Sequence, residues 1–274
     1  REARGYVIGT NPYAGGDDAT PIGSRLALQS AKDGGANFLT PSIRKAVLDC
    51  LAVPVPHRML AEDRLWADLL SSMPLCFNLF GDVFGDTEYA ARAVRAWWPD
   101  APRGAVTVRF EHSPGRCDPA FLGNKSAFDV AFEIGSGDKD LAIIGVETKY
   151  HEDAKVEPEP KPKALARYVE VTERSMAFID GWRELVIGTE LQQIWLDHLL
   201  LLSMLQHPSG RWTWGRFVLL YPSGNPSFAR AAAAYRAVLR DPATFEARTI
   251  EALLAPTSPL KVETAAAFRE RYFW

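Results

Sequence analysis

Three charged residues stand where a buried strand should be apolar: Asp129, Glu147 and Lys149. Asp129 opens the run Phe128-Asp-Val-Ala-Phe-Glu-Ile134, and Glu147-Thr148-Lys149 closes the run that starts Leu141-Ala-Ile-Ile-Gly-Val146. Side chains along a strand alternate faces, so Glu147 and Lys149 share one face and Thr148 takes the other. Burying an acid and an amine at a strand end costs several kcal/mol unless they pair or hold a metal. Two carboxylates beside a lysine suit hydrolysis: the oxygens hold Mg²⁺, and the amine handles a proton or a developing charge. The bland alternative is a solvated surface pair worth little. The oily strand leading into Glu147 argues for the functional reading.

The elements that must position these residues are legible around them. Gly135-Ser-Gly-Asp-Lys-Asp140 joins the two runs as the turn of a hairpin. Leu141 to Val146 is apolar at nearly every position, which places that strand mid-sheet with both faces covered. Further strands are predicted at 105–110 and 216–221. Helices are predicted at about 41–51 (Thr40 as N-cap, Pro41 first), 57–71, 87–97, 164–178, 189–205 and 228–239. Residues 75–81 read as a compact apolar knot, and the prolines of 157–163 as an irregular loop. Residues 1–40, with breakers at Gly15-Gly16-Asp17-Asp18, read as an extended, irregular arm carrying one short helix near 24–31. The order helix, three strands, helices, strand, helix predicts an α/β (α+β mixed) domain with a central mixed sheet flanked by helices. The expected organisation is an arm over 1–40 and one domain over 41–274, its core at about 57–240.

Composition sets the outer bounds. The chain has 274 residues, 47% hydrophobic and 24% charged, as an ordinary soluble globular protein does. A net charge of −3 excludes bulk electrostatic attraction to nucleic acid, so any such binding needs a local basic surface. Cys50, Cys76 and Cys117 are odd in number and widely spaced, which predicts unpaired thiols and a cytoplasmic location. The histidines do not cluster with them, which argues against zinc. No apolar run is long enough to span a membrane.

Asp129 with Glu147-Thr148-Lys149 at the end of an oily strand resembles the active-site pattern of the PD-(D/E)xK superfamily, the restriction-endonuclease-like fold. The element order resembles that superfamily's core. The segments Leu65–Ser72, Pro74–Gly81, Ser126–Asp129 and Gln193–Leu200 are similar to a bacterial subgroup of restriction-endonuclease-like nucleases, and together these features span roughly residues 38–222. The resemblance implies a metal-dependent nuclease, a Mg²⁺ phosphodiesterase in which Mn²⁺ substitutes. It implies DNA as the partner and endonucleolytic cutting ahead of exonucleolytic, in bacterial defence or DNA processing. A homodimer or a partner defence subunit fits the same implication. Asp129 and Glu147 would bind the metal, joined by Glu62 from the first core helix, and Lys149 would orient or help deprotonate water. Gln193 is the candidate for a further site residue. Phe128 stands where the pattern has proline, so that half of the motif is only partly kept.

From spacing alone Glu62 is the polar face of an amphipathic helix, and only the resemblance makes it a ligand. Lys155, Lys161, Lys163 and Arg167, with Arg174, form a basic run just past the hairpin. A solvated face is the default, and contact with a DNA backbone is the functional reading. Gly123-Asn124-Lys125-Ser126 lacks the earlier glycine of a phosphate loop. His112 and His151 flank the site, while Trp182, Trp195, Trp212 and Trp214 read as core rather than base-stacking residues. Two alternatives stand beside the main reading: a nuclease for RNA or single-stranded ends, and a binding module that kept the fold without turnover.

Overall fold

The computed structural model describes residues 5–11, 20–55 and 58–273. The breakers at 15–18 and the helix start expected at His57 lie outside the described residues. The chain packs as two compact units, a smaller one of 1–82 with 260–274 and a larger one of 83–259.

In the smaller unit, β1 (Ile8–Thr10) pairs antiparallel with β2 (Pro21–Leu26), and α1 (Leu28–Gly34) follows. The described part of the expected arm is therefore strand and helix, because Leu26 and Ala31 find buried places. In α2 (Pro41–Ala52) Thr40 caps the first turn, its hydroxyl accepting from the Ile43 amide at 3.3 Å, with Pro41 at the first helical position. The helix expected over 57–71 is shorter. Only α3 (Glu62–Ala67) forms, because Asp68 leaves the helical path to bridge and ion-pair with Arg25. The apolar knot proves to be α4 (Ser72–Phe80), capped by Ser71. Every residue from Met73 to Phe80 is buried, and a helix covered all round shows no amphipathic period.

The larger unit opens with α5 (Thr87–Trp97), then β3 (Val106–His112), β4 (Phe128–Ile134) and β5 (Leu141–Thr148). After α6 (Pro162–Ser175), α7 (Trp182–Val186) and α8 (Gln192–Leu205) come β6 (Trp212–Tyr221), α9 (Pro226–Val238), β7 (Phe245–Thr249) and α10 (Ile250–Leu253). The last of the loop prolines, Pro162, starts α6 rather than interrupting it, since a first-turn amide needs no partner. The strands form one sheet in the order β3-β4-β5-β6-β7, antiparallel through β5 and parallel beyond. This is the expected mixed sheet flanked by helices, the restriction-endonuclease-like architecture. As its apolar run requires, β5 lies in the middle, and every residue but Glu147 is fully buried. One face carries the main core with α6, α8 and α9. Against the other, Trp97 and Trp98 of the α5 end lie on Phe132, at ring-centroid distances of 6.2 and 5.5 Å.

The chain ends in the smaller unit with α11 (Val262–Tyr272). Asn78 binds Leu39 N, Asn37 O and the Tyr272 hydroxyl, while Asn37 reaches Leu65 O and accepts from Arg271. Both amides are fully buried, so each must be satisfied in this way.

Candidate active site

The register of the β4–β5 pair assembles the site. Val130 lies opposite Val146, and continuing that antiparallel register brings Asp129 beside Glu147. Gly145 makes room for the Phe128 ring, whose atoms come within 2.5 Å of where a Cβ would stand. The residue in the proline position thus packs across β5, next in the chain to Asp129.

Two hydrogen bonds fix the Asp129 carboxylate: Thr148 donates to Oδ2 from its amide at 2.8 Å and from its hydroxyl at 2.5 Å. The Lys149 ammonium lies 2.7 Å from Glu147 Oε1, and both side chains are largely buried, 6% and 13% exposed. Its charge also lies 5.7 Å from the centre of the Phe228 ring. Asp129 Oδ1 and Glu147 Oε2 make no hydrogen bond among the described residues.

A third buried carboxylate acts electrostatically on the same charges. Asp197, from the second turn of α8, has an Oδ2 shut off from solvent without a hydrogen-bond partner. Burial pushes Asp197 up to about 7. Burial, and then Asp129, push Glu147 well above the ordinary carboxylate range. Burial also raises Asp129, against the pull of Thr148 and Lys149. For Lys149 burial works the other way, yet Glu147 and Asp197 outweigh it and keep the ammonium charged. Burial is the first cause for all three carboxylates, and with one ammonium to offset three buried acids the site is short of positive charge.

That shortage is what a divalent cation would fill, and the donors suit one. Uncommitted carboxylate oxygens on neighbouring strands are hard ligands of the kind Mg²⁺ takes. Among the described residues no group of three or more His, Cys, Asp or Glu is arranged to hold a metal ion. Water and substrate oxygens would therefore complete the shell, as is usual for Mg²⁺.

The other expected residues fall in several places. Gln193 is partly exposed on the first turn of α8, one turn before Asp197 on the same helix face. Its neighbour Gln192 is structural, bonded to Gly188 N and Pro158 O. Glu62 belongs to the smaller unit, in the first turn of α3, where it pairs with Lys32 at 3.2 Å. Lys155, Lys161 and Lys163 are exposed. Arg167 is committed instead to Phe121 O, Ala120 O and Glu170. His151 is exposed, whereas burial, with Arg109, Arg211 and Arg116 nearby, lowers His112 to about 4 and keeps it neutral. Trp182, Trp195 and Trp212 are core residues, as expected. Asp197 escaped the reading of the sequence, although a lone acid in Ile194-Trp-Leu-Asp-His-Leu-Leu-Leu-Leu202 was a signal.

The model of the family described as the PD-(D/E)XK nuclease superfamily matches residues 1–274. No curated protein and no solved structure matches the chain.

Proposed function

Because this chain belongs to the PD-(D/E)XK nuclease superfamily, we propose that it is a metal-dependent DNA nuclease, cutting phosphodiester bonds internally in bacterial defence or DNA processing. The observation that supports this most is the cross-strand pair Asp129–Glu147 with the Lys149 ammonium 2.7 Å from the Glu147 carboxylate. Asp129 and Glu147 would hold Mg²⁺, or Mn²⁺ in its place. The bound ion would polarise a phosphoryl oxygen and make a bound water more acidic. Lys149 has three N–H donors and one is engaged by Glu147, so the others can orient the attacking water and balance charge on the scissile phosphate. Thr148 keeps the Asp129 carboxylate from rotating, which spares reorganisation during the reaction.

The test is Mg²⁺- or Mn²⁺-dependent degradation of double-stranded DNA, single-stranded DNA and RNA, with EDTA as control and cation binding measured by calorimetry. Lys149→Ala should keep cation and DNA binding while losing at least 10²-fold in cleavage rate, about 3 kcal/mol of transition-state stabilisation. Asp129→Ala should lose both cation binding and cleavage. Equal activity of the parent and Lys149→Ala would remove this site assignment. Preference for RNA or for single-stranded ends would replace the substrate. DNA binding without cleavage of any substrate would favour a silent binding module.

A further inference from the structure

We propose that the long connection between β3 and β4 is a preformed arm of the substrate site, on which Lys125 grips a phosphate of the DNA backbone close to the one being cut. The proposal rests on the nuclease reading above and deepens it by naming a further substrate contact. Antiparallel neighbours need only about two to five residues between them. Here the chain runs from 113 to 127 before β4 begins. The excess is folded rather than loose. Cys117 N donates to Asn124 O at 2.6 Å and Gly123 N to Asp118 O at 2.9 Å, so the segment closes on itself as a compact surface loop, a form that often carries function. Phe121 and Leu122 plug it into the core, the Phe121 ring stacking on His207 with 4.5 Å between centroids.

Two neighbours on α6 hold the loop from outside. Arg167 donates to Phe121 O at 2.7 Å and to Ala120 O at 3.0 Å, and Asn124 Nδ2 donates to the Tyr168 hydroxyl at 3.0 Å. The loop carries three charged residues. Arg116 pairs with Glu111, and Asp118 accepts from Ala120 N. Lys125 is exposed and makes no ion pair among the described residues. Asp129 follows four residues later, which keeps the two Cα atoms within about 14 Å of each other. At roughly 3.4 Å per nucleotide along one strand, that span reaches a phosphate within about four nucleotides of the cut. A loop already ordered loses little conformational freedom when it grips, and this is what Arg167 and Tyr168 contribute as positioning residues.

Four full-length proteins are compared by fluorescence anisotropy of a labelled duplex in Ca²⁺, across a range of potassium chloride concentrations: the parent, Lys125→Ala, Lys125→Arg and Tyr168→Phe. Ca²⁺ affinity and the thermal midpoint are measured beside them. Lys125→Ala should bind about tenfold more weakly at low salt and make the salt slope shallower by about 0.9, with Ca²⁺ affinity and midpoint at the parent values. Lys125→Arg should keep the parent slope, because the charge stays. Tyr168→Phe removes an anchor of the loop without changing any charge, so affinity should fall about threefold with the slope unchanged. Parent affinity and slope in Lys125→Ala would overturn the proposal. So would a loss of the same size in Lys125→Arg, or a loss that tracks Ca²⁺ affinity, since a phosphate contact needs the charge and leaves the cation alone. Parent affinity in Tyr168→Phe would overturn the preformed part of it. A parent that does not bind the duplex would overturn the DNA reading as well, so the two failures are told apart by the parent alone.

Discussion

Phe128 shows how one residue departs from a family pattern while keeping its geometry. A proline would stiffen the chain before Asp129. Here a buried phenyl ring stands in that place, lying across Gly145 of the neighbouring strand. Gly145→Ala would push a methyl group into that ring, since its nearest atoms stand 2.5–2.6 Å from the added carbon. Overpacking of this kind costs about 1–3 kcal/mol. The expected result is a lower thermal midpoint and a loss of cleavage larger than the stability loss explains, because Phe128 cannot move without Asp129. Unchanged activity in a folded Gly145→Ala protein would show that Phe128 does not seat the carboxylate. Asp129, Glu147 and Lys149 break an apolar alternation, and the period of two alone puts the acid and the amine on one face. Asp197 was passed over because a helix buried on nearly every side has no amphipathic period that assigns a lone acid to a face.

Among the elements, the strands of the sheet and the long helices after it were legible from their apolar patterns, and the misses share a cause. β7 has the sequence Phe-Glu-Ala-Arg-Thr, and an edge strand with only Phe245 buried shows little alternation. α4 hid because it is buried all round, and α3 ended early because Asp68 has a partner in Arg25 that no local pattern reveals. α8 has a second consequence. His198 on it is fully buried, its ring nitrogens 3.0 Å from the Tyr235 hydroxyl and 2.9 Å from Thr244 Oγ1, and so ties α8 to α9 and to the approach to β7. Burial lowers its pKa to about 3. The unfolded chain takes up this proton near the ordinary histidine value of about 6.5. The stabilisation from His198 is therefore complete above that pH and is lost as pH falls from it toward 3. The slope is up to about 1.4 kcal/mol per pH unit for one proton. His112, lowered to about 4, adds a similar contribution. His198→Gln keeps hydrogen-bonding capacity without the titration, so its unfolding free energy should fall less steeply between pH 6 and pH 4 than the parent's. Parallel pH profiles for the two proteins would mean that His198 is not neutral in the folded state.

For the molecule as a whole the governing fact is a net charge of −3 on a chain proposed to grip a polyanion. No long-range field draws DNA in, so affinity must come from local cations near the site. The approach to α6 offers candidates, since Lys161 and Lys163 are exposed beside its first turn, following Lys155 on the loop from β5. Arg167 does not add to this set, since its guanidinium is spent on the 120–121 carbonyls and Glu170. Replacing it should loosen that loop rather than remove a phosphate contact. Each phosphate neutralised releases counterions, so the logarithm of the binding constant falls with the logarithm of salt by about 0.9 per contact on duplex DNA. Lys161→Ala with Lys163→Ala should therefore weaken binding most at low salt and make that slope shallower by up to about two units. Because neither lysine touches the carboxylates in this geometry, cation affinity should stay at the parent value. The measurement is fluorescence anisotropy of a labelled duplex titrated in Ca²⁺, an oxygen-seeking ion in place of Mg²⁺, across a range of potassium chloride concentrations. A slope unchanged from the parent would place the DNA path on another face of the larger unit. A slope that falls together with cation affinity would show that the substitutions had disturbed the site itself.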